Sequence, residues 1–212
     1  MITYQNEVTD RKYMKITVLI SLAVILAFSI IIAASGCAQP AQPAQPSSPQ
    51  PPVPDNQSPD LYTNAQYGFT FKVCDDSDFE LKENQGGAAV ALLGPFLRDI
   101  KHRIGIYVIL DKLPPKTTLE GYLKMQQTSA GAKLTNFAIV DETDITIAGI
   151  PGKLSQSTFT VVTDDGEINF KTALAVFIKN DTVYAIQYEN DAGLYDENVD
   201  CFNTVLSTFR FN

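Results

Sequence analysis

The sequence predicts an α+β fold over residues 60–212, with one antiparallel β-sheet of about six to eight strands flanked by helices. Three observations lead there. Apolar runs separated by hairpin-type turns recur along this stretch, as expected for antiparallel strands. Two segments, Leu119–Met125 and Leu194–Phe209, instead carry apolar residues at helical spacing. The run His102–Leu110 is apolar on both faces, so that strand must be covered on both sides. The order read is β-β-β-α-β-β-β-β-β-α, a sandwich in which the helices bury their stripes on the sheet.

Each element has a local reason. Tyr67, Phe69, Phe71 and Val73 alternate with Gly68, Thr70 and Lys72, a strand with one buried face. Gly86-Gly87 is a turn, and Ala88–Leu93 is a second strand. The apolar stretch Val90–Leu97 is broken by Gly94-Pro95 and reads as a buried strand end or as an exposed patch for a partner. His102–Leu110 is the third strand, stopped by Pro114-Pro115. Thr117-x-x-Glu120 matches a capping box, Leu119, Tyr122, Leu123 and Met125 form the helix face, and Gly131 is the expected stop. Phe137–Val140 and Ile145–Ala148 read as two short strands, and Gly149–Gly152 as a tight reversal. Ser155–Thr163 and Glu167–Lys179 flank Asp164-Asp165-Gly166, a hairpin signal, and Asn180-Asp181 leads into Thr182–Glu189. The last helix is expected to end near Ser207, leaving Phe209-Arg210-Phe211 extended.

The chain ahead of this domain divides in two. Residues 1–36 read as a lipoprotein signal peptide. Arg11, Lys12 and Lys15 precede Ile16–Ala34, where Thr17, Ser21 and Ser29 alone interrupt the apolar residues. As a helix this run is about 28 Å long, enough to cross a bilayer core. The flanking positive charge stays in the cytoplasm and directs the rest of the chain across the membrane. Ala34-Ser35-Gly36-Cys37 resembles a lipobox, in which the Cys37 thiol takes a diacylglyceryl group and becomes the first mature residue. The alternative is an uncleaved transmembrane anchor. Met14-Lys15 would also make a normal start, which leaves Met1 or Met14 as the true one. Residues 37–59 then form a Pro/Gln-rich spacer after the lipidated Cys37. Eight of the chain's 12 prolines fall in it, and a polyproline II chain of this length reaches roughly 70 Å. Either reading puts the domain on the extracytoplasmic side of the cell membrane.

Composition excludes several classes. Sixteen Lys+Arg against 24 Asp+Glu gives a net charge of −8, which argues against nucleic-acid binding. One histidine rules out a histidine-rich metal centre, and three cysteines rule out a disulfide-dense scaffold. His102 lacks a companion motif for catalysis and reads as a surface or edge-strand residue. Acidic groups cluster at Asp75-Asp76-Ser77-Asp78, Asp141-Glu142-Thr143-Asp144, Asp164–Glu167 and Glu189–Asp191. None follows a calcium-loop pattern, so they read as turns and solvated surface, with a weak cation site as the alternative. Cys74 and Cys201 would both lie in an oxidising space. They are a possible disulfide, or else two free thiols. No cofactor or metal ligand set is expected.

The domain resembles the PsbP family and its relatives among exported bacterial and archaeal lipoproteins. The matching segments are Tyr62–Phe71, Thr117–Tyr122, Thr146–Gly152, Asp181–Tyr188 and Val205–Phe211, in the family's order and spacing. Together they span nearly all of residues 60–212. One departure is Cys74-Asp75-Asp76, where the family often has a proline and then a tryptophan. The resemblance implies the PsbP-like α-β-α sandwich. In photosynthetic members the domain is an extrinsic photosystem subunit, a role that nothing in this sequence supports.

The expected function is therefore a non-catalytic binding or assembly module tethered to the membrane through its lipid, with an envelope protein as a possible partner. The alternatives are a small-ligand or cation-binding envelope protein and, third, a cell-envelope hydrolase, which would need a cleft of converging ionisable groups.

Overall fold

The computed structural model describes residues 60–74, 79–97, 102–163 and 166–212. The signal segment, Cys37 and the spacer lie outside these residues, as do Asp75, Asp76, Asp78, Asp164 and Asp165. Among the described residues, no helix is long and apolar enough to cross a membrane.

Among the described residues, ten strands and two helices follow one another: β1 (Leu61–Asn64), β2 (Phe69–Lys72), β3 (Glu80–Glu83), β4 (Val90–Leu97), β5 (His102–Lys112), α1 (Leu119–Lys133), β6 (Thr135–Ile147), β7 (Ile150–Thr163), β8 (Gly166–Lys179), β9 (Thr182–Asp191), α2 (Tyr195–Thr208) and β10 (Arg210–Phe211). Seven of the strands form one antiparallel sheet in the order β3-β4-β5-β9-β8-β7-β6. The other three, β1-β2-β10, form a separate small sheet.

β9 sits inside the large sheet between β5 and β8, and every residue from Val183 to Asn190 is buried. Its side chains alternate between two cores. Tyr184, Ile186 and Tyr188 join the larger core, to which α2 contributes Tyr195, Cys201, Phe202 and Val205. Val183 and Ala185 join a smaller core with Tyr122 and Leu123 of α1. The helices therefore cover opposite faces. Each large apolar side chain so placed contributes about 1.5–3 kcal/mol on burial.

The small sheet extends the α2 side. Phe69 and Phe71 of β2 stack on Phe209 with ring centroids 5.2 and 6.4 Å apart. Phe209 also meets Phe177 and Tyr184 edge-on. Cys74, just past β2, is disulfide-bonded to Cys201 of α2, with Cα atoms 5.1 Å apart. That separation lies within the reach of a disulfide, and the bond spans 127 residues of sequence.

Several local expectations shift. β1 and β3 are short strands that the sequence pattern does not separate. Thr118, not Thr117, caps α1: its Oγ1 accepts from the Gly121 amide at 3.1 Å. The reason is upstream, where the Thr117 amide bonds Pro114 O in a turn that puts Lys116 at φ 64°. Gly131 does not end α1, which runs on to Lys133, where Leu134 turns extended. Phe137–Val140 and Ile145–Ala148 belong to one long strand, β6, and its closing turn; the register of β6 against β7 shifts twice. The chain also does not break at Gly94-Pro95. β4 passes through with a register shift, and Arg103 secures the irregularity by donating to Leu93 O (2.8 Å) and Gly94 O (2.7 Å). Val90–Leu92 are buried, while Phe96 is 61% exposed beneath the Arg103 guanidinium. The β6–β7 reversal uses Ala148 and Gly149, both at positive φ, as a two-residue hairpin requires.

The bond between β2 and α2 gives a test. Peptide-resolved alkylation of the purified chain is expected to label neither Cys74 nor Cys201 before reduction and both after it. Cys201→Ala is expected to lower the unfolding free energy by roughly 2–5 kcal/mol, read from the denaturant midpoint. Full labelling without reductant would contradict the bond.

Candidate functional site

α1 anchors its first half over β5 and β9. Tyr122 donates to Asp111 Oδ2 at 3.1 Å, and burial, with Asp111 beside it, raises the tyrosine pKa. Farther along, the helix packs against β6 and β8 and crosses β7 between them. A cleft of about 60 Å³ remains between helix and sheet. The floor mixes polar and apolar side chains: Gln187 of β9, Thr172 and Leu174 of β8, and Ser155 and Ser157 of β7. Toward the sheet edge the lining turns apolar, with Phe159, Leu134, Phe137 and Ile139. Among the described residues that line it, none is an acid, a base, a histidine or a cysteine.

Strand register builds the floor. Ser157 faces Thr172, and Leu174 faces Gln187. The Ser157 and Thr172 hydroxyls lie 2.7 Å apart and satisfy each other. Gln187 is different. Its Nε2 donates to Glu189 Oε2 at 3.3 Å, while its Oε1 has no hydrogen-bond partner although the residue is only 3% exposed. Leaving a buried acceptor unmet costs about 1–3 kcal/mol.

Glu189 adjoins this floor and is 1% exposed. Burial raises its pKa to about 7, against a smaller lowering by the Gln187 hydrogen bond. Opposite it on β5 is Gly105, and a Cβ there would fall 2.3 Å from the ring of Tyr107, so the glycine leaves the space this ring occupies.

The residues singled out in the sequence scatter elsewhere. His102 opens β5, paired with Leu97. Asp144 pairs with Lys153 at 2.7 Å, and Glu142 accepts from Gln127 Nε2 at 2.8 Å, both on the exposed β6 side. Asp191 accepts from the Gly193 amide. Among the described residues, no three His, Cys, Asp or Glu side chains gather where they could hold a metal ion. Glu189 corrects the reading of its cluster as solvated surface: it belongs to β9 and is enclosed by the sheet and its cover. Gln126, Ser155, Ser157, Thr172 and Gln187 were not anticipated. The available signal was Gln187 and Glu189 alternating in one strand with Ile186 and Tyr188.

The raised pKa of Glu189 has a definite sign. The folded chain holds this proton more tightly than an unfolded chain, in which the group titrates near 4.5. Its contribution is fully present below pH 4.5 and is lost as pH rises through about 7. Glu189→Gln is expected to flatten the stability profile between about pH 5 and 8 and to gain ~1–3 kcal/mol at the upper end. Denaturant midpoints across that range check this. A variant whose profile runs parallel to the parent's would contradict it.

Solved structures with the same architecture are similar to this domain. The cyanobacterial PsbP (CyanoP) of Synechocystis sp. PCC 6803 is 16% identical, with 72% of this chain and 91% of that one covered at a TM-score of 0.50. LpqN of Mycobacterium tuberculosis, described as involved in cell envelope biogenesis, is 14% identical, with 72% and 89% covered at a TM-score of 0.53. No family model matches the chain, and no curated protein matches it. At these identities the likeness is one of fold, and the domain has the PsbP-like α+β fold that the sequence resemblance implied.

Proposed function

We propose that this chain is a lipid-tethered, extracytoplasmic, non-catalytic binding module whose recognition surface is the cleft under α1. The observation that carries this reading is the cleft lining: apolar side chains interspersed with neutral amides and hydroxyls, with no ionisable side chain among the described residues that line it. General acid–base or nucleophilic chemistry needs a positioned base beside the reacting group. Ser157 has Thr172 beside it rather than a base. Binding needs a concave surface with a few fixed polar groups, and the cleft offers that. The lipobox at Ala34–Cys37 and the spacer support the tether.

Two measurements test the module. A photo-crosslinking residue replacing Ile139, at the cleft rim, is expected to form adducts in intact cells. Those adducts should disappear when Ala130→Trp fills the cleft, and the same probe at Lys82 on β3 should form none. Adducts insensitive to Ala130→Trp, or none at position 139, would overturn the cleft as the recognition surface. Mass spectrometry of the membrane-extracted chain is expected to find an acylated N-terminal Cys37. A chain still intact through Ile16–Ala34 would contradict lipidation.

A further inference from the structure

We propose that Glu189 and Gln187 of β9 form a proton-operated latch beneath α1: with the Glu189 carboxyl protonated the pair is closed and the helix lies down over the cleft, and with it ionised the second half of the helix, residues 126–133, loosens. The latch regulates the cleft, and in that respect it rests on the reading of the cleft as the binding surface.

A hydrogen-bond imbalance inside the protein points to it. Gln187 Nε2 donates to Glu189 Oε2 at 3.3 Å, beyond the usual range for such a bond. Gln187 Oε1 accepts nothing and is sealed from solvent, so only a buried donor can meet it. The carboxyl joined to the same amide becomes that donor when it carries a proton. The acid O–H then donates to Gln187 Oε1 while Nε2 goes on donating to the other carboxyl oxygen. Two hydrogen bonds stand in place of one, and the interior holds no charge there. Loss of the proton to solvent leaves one bond, an orphaned acceptor and a buried carboxylate.

The elements around Glu189 define what faces it. On β5, Gly105 is opposite and the Tyr107 hydroxyl lies over that glycine. Arg103, two residues away, reaches to the β4 side, where it meets Glu80 and the Leu93 and Gly94 carbonyls. On β8, Thr172 is opposite, and Lys171 sits over the Tyr195 ring. On β9, Asp191 accepts from the Gly193 amide. From α1, the neutral Leu123 and Gln126 line the cleft together with Gln187. Burial is the largest influence on the Glu189 carboxyl and carries its pKa up to about 7. An ionised Glu189 finds water most directly through the cleft beside Gln187. The first half of α1 is held by the Thr118 cap and by Tyr122 on Asp111, so the second half is the part that gives way.

The test is NMR and hydrogen exchange on the full chain in detergent, from about pH 4.5 to about pH 8. In the parent, the Glu189 carboxyl carbon should titrate with a midpoint of about 7, and the Gln187 side-chain amide should shift with the same midpoint. Opening of the amides of residues 126–133, corrected for intrinsic exchange, should rise by up to about tenfold per pH unit between about pH 5 and 7 and then level off. In that range the open form has released the proton and the closed form still holds it. Glu189→Gln cannot ionise and should show one opening constant throughout. Glu142→Gln removes the other acid beside this half of the helix, the one that accepts from Gln127, and should keep the parent's slope. A Gln187 amide that stays still while Glu189 titrates would overturn the latch, a result that needs no variant to fold. So would opening that does not depend on pH, a slope that survives in Glu189→Gln, or one that vanishes in Glu142→Gln. None of these readouts involves a ligand, so the rim crosslinking result decides the cleft reading separately.

Discussion

The structure depends on one strand that must be dry on both faces. β9 is buried from Val183 to Asn190, and neither neighbour in the sheet can provide that alone. β5 and β8 satisfy its backbone through continuous antiparallel ladders. Its side chains need separate covers. α2 and the small β1-β2-β10 sheet supply one, through the ring cluster around Phe209. α1 supplies the other, held at its start by the Thr118 cap and by Tyr122 on Asp111. The Cys74–Cys201 link ties the small sheet to the helix beside it, so the α2 cover is joined covalently as well as by packing.

The two covers are not equally complete. The α2 side is closed by aromatic rings. The α1 side has one helix to cover five strands, β5, β9, β8, β7 and β6, and its backbone comes nearest to β6 and β8. The cleft is what this incomplete cover leaves, and it lies where β9 changes from apolar to polar. Val183 and Ala185 meet the helix, whereas Gln187 and Glu189, next along the same face, do not share that core. Desolvating an amide and a carboxyl beside an open cleft costs stability, and the raised pKa of Glu189 is the electrostatic expression of that cost. Of the two, Gln187 lines the cleft and Glu189 lies beside it, joined to it by a hydrogen bond.

The fold was largely legible because its strongest signals are local. The two-sided apolar run at His102–Leu110 announced a twice-covered strand, and β5 is the neighbour of β9. Hairpin residues marked β7, β8 and β9 as successive antiparallel strands, and Asn180 and Asp181 both adopt the positive φ that such a turn requires. What escaped notice was nonlocal or weak. β1 (LYTN) and β3 (ELKE) are too short and too polar to show alternation. Thr117 and Thr118 are equally good caps by type, and only the turn closed by Pro114 decides between them. Gln187 and Glu189 carry the composition of a solvated strand end. Their burial comes from β5, β8 and α1, elements whose contributing residues lie far away in sequence. The cleft was therefore invisible to a reading that weighed acidic clusters by charge and spacing.

The central claim is tested most directly by native-state hydrogen exchange resolved by residue. If β9 is the strand that both covers exist to bury, its amides from Val183 to Tyr188 exchange only through global unfolding, and those of the edge strand β6 exchange by local opening at far lower cost. Reducing the Cys74–Cys201 bond should then lower the protection of β9 together with that of α2. If β9 amides instead exchange as readily as those of β6, the strand is not the doubly covered centre of the fold, and the cleft loses its floor.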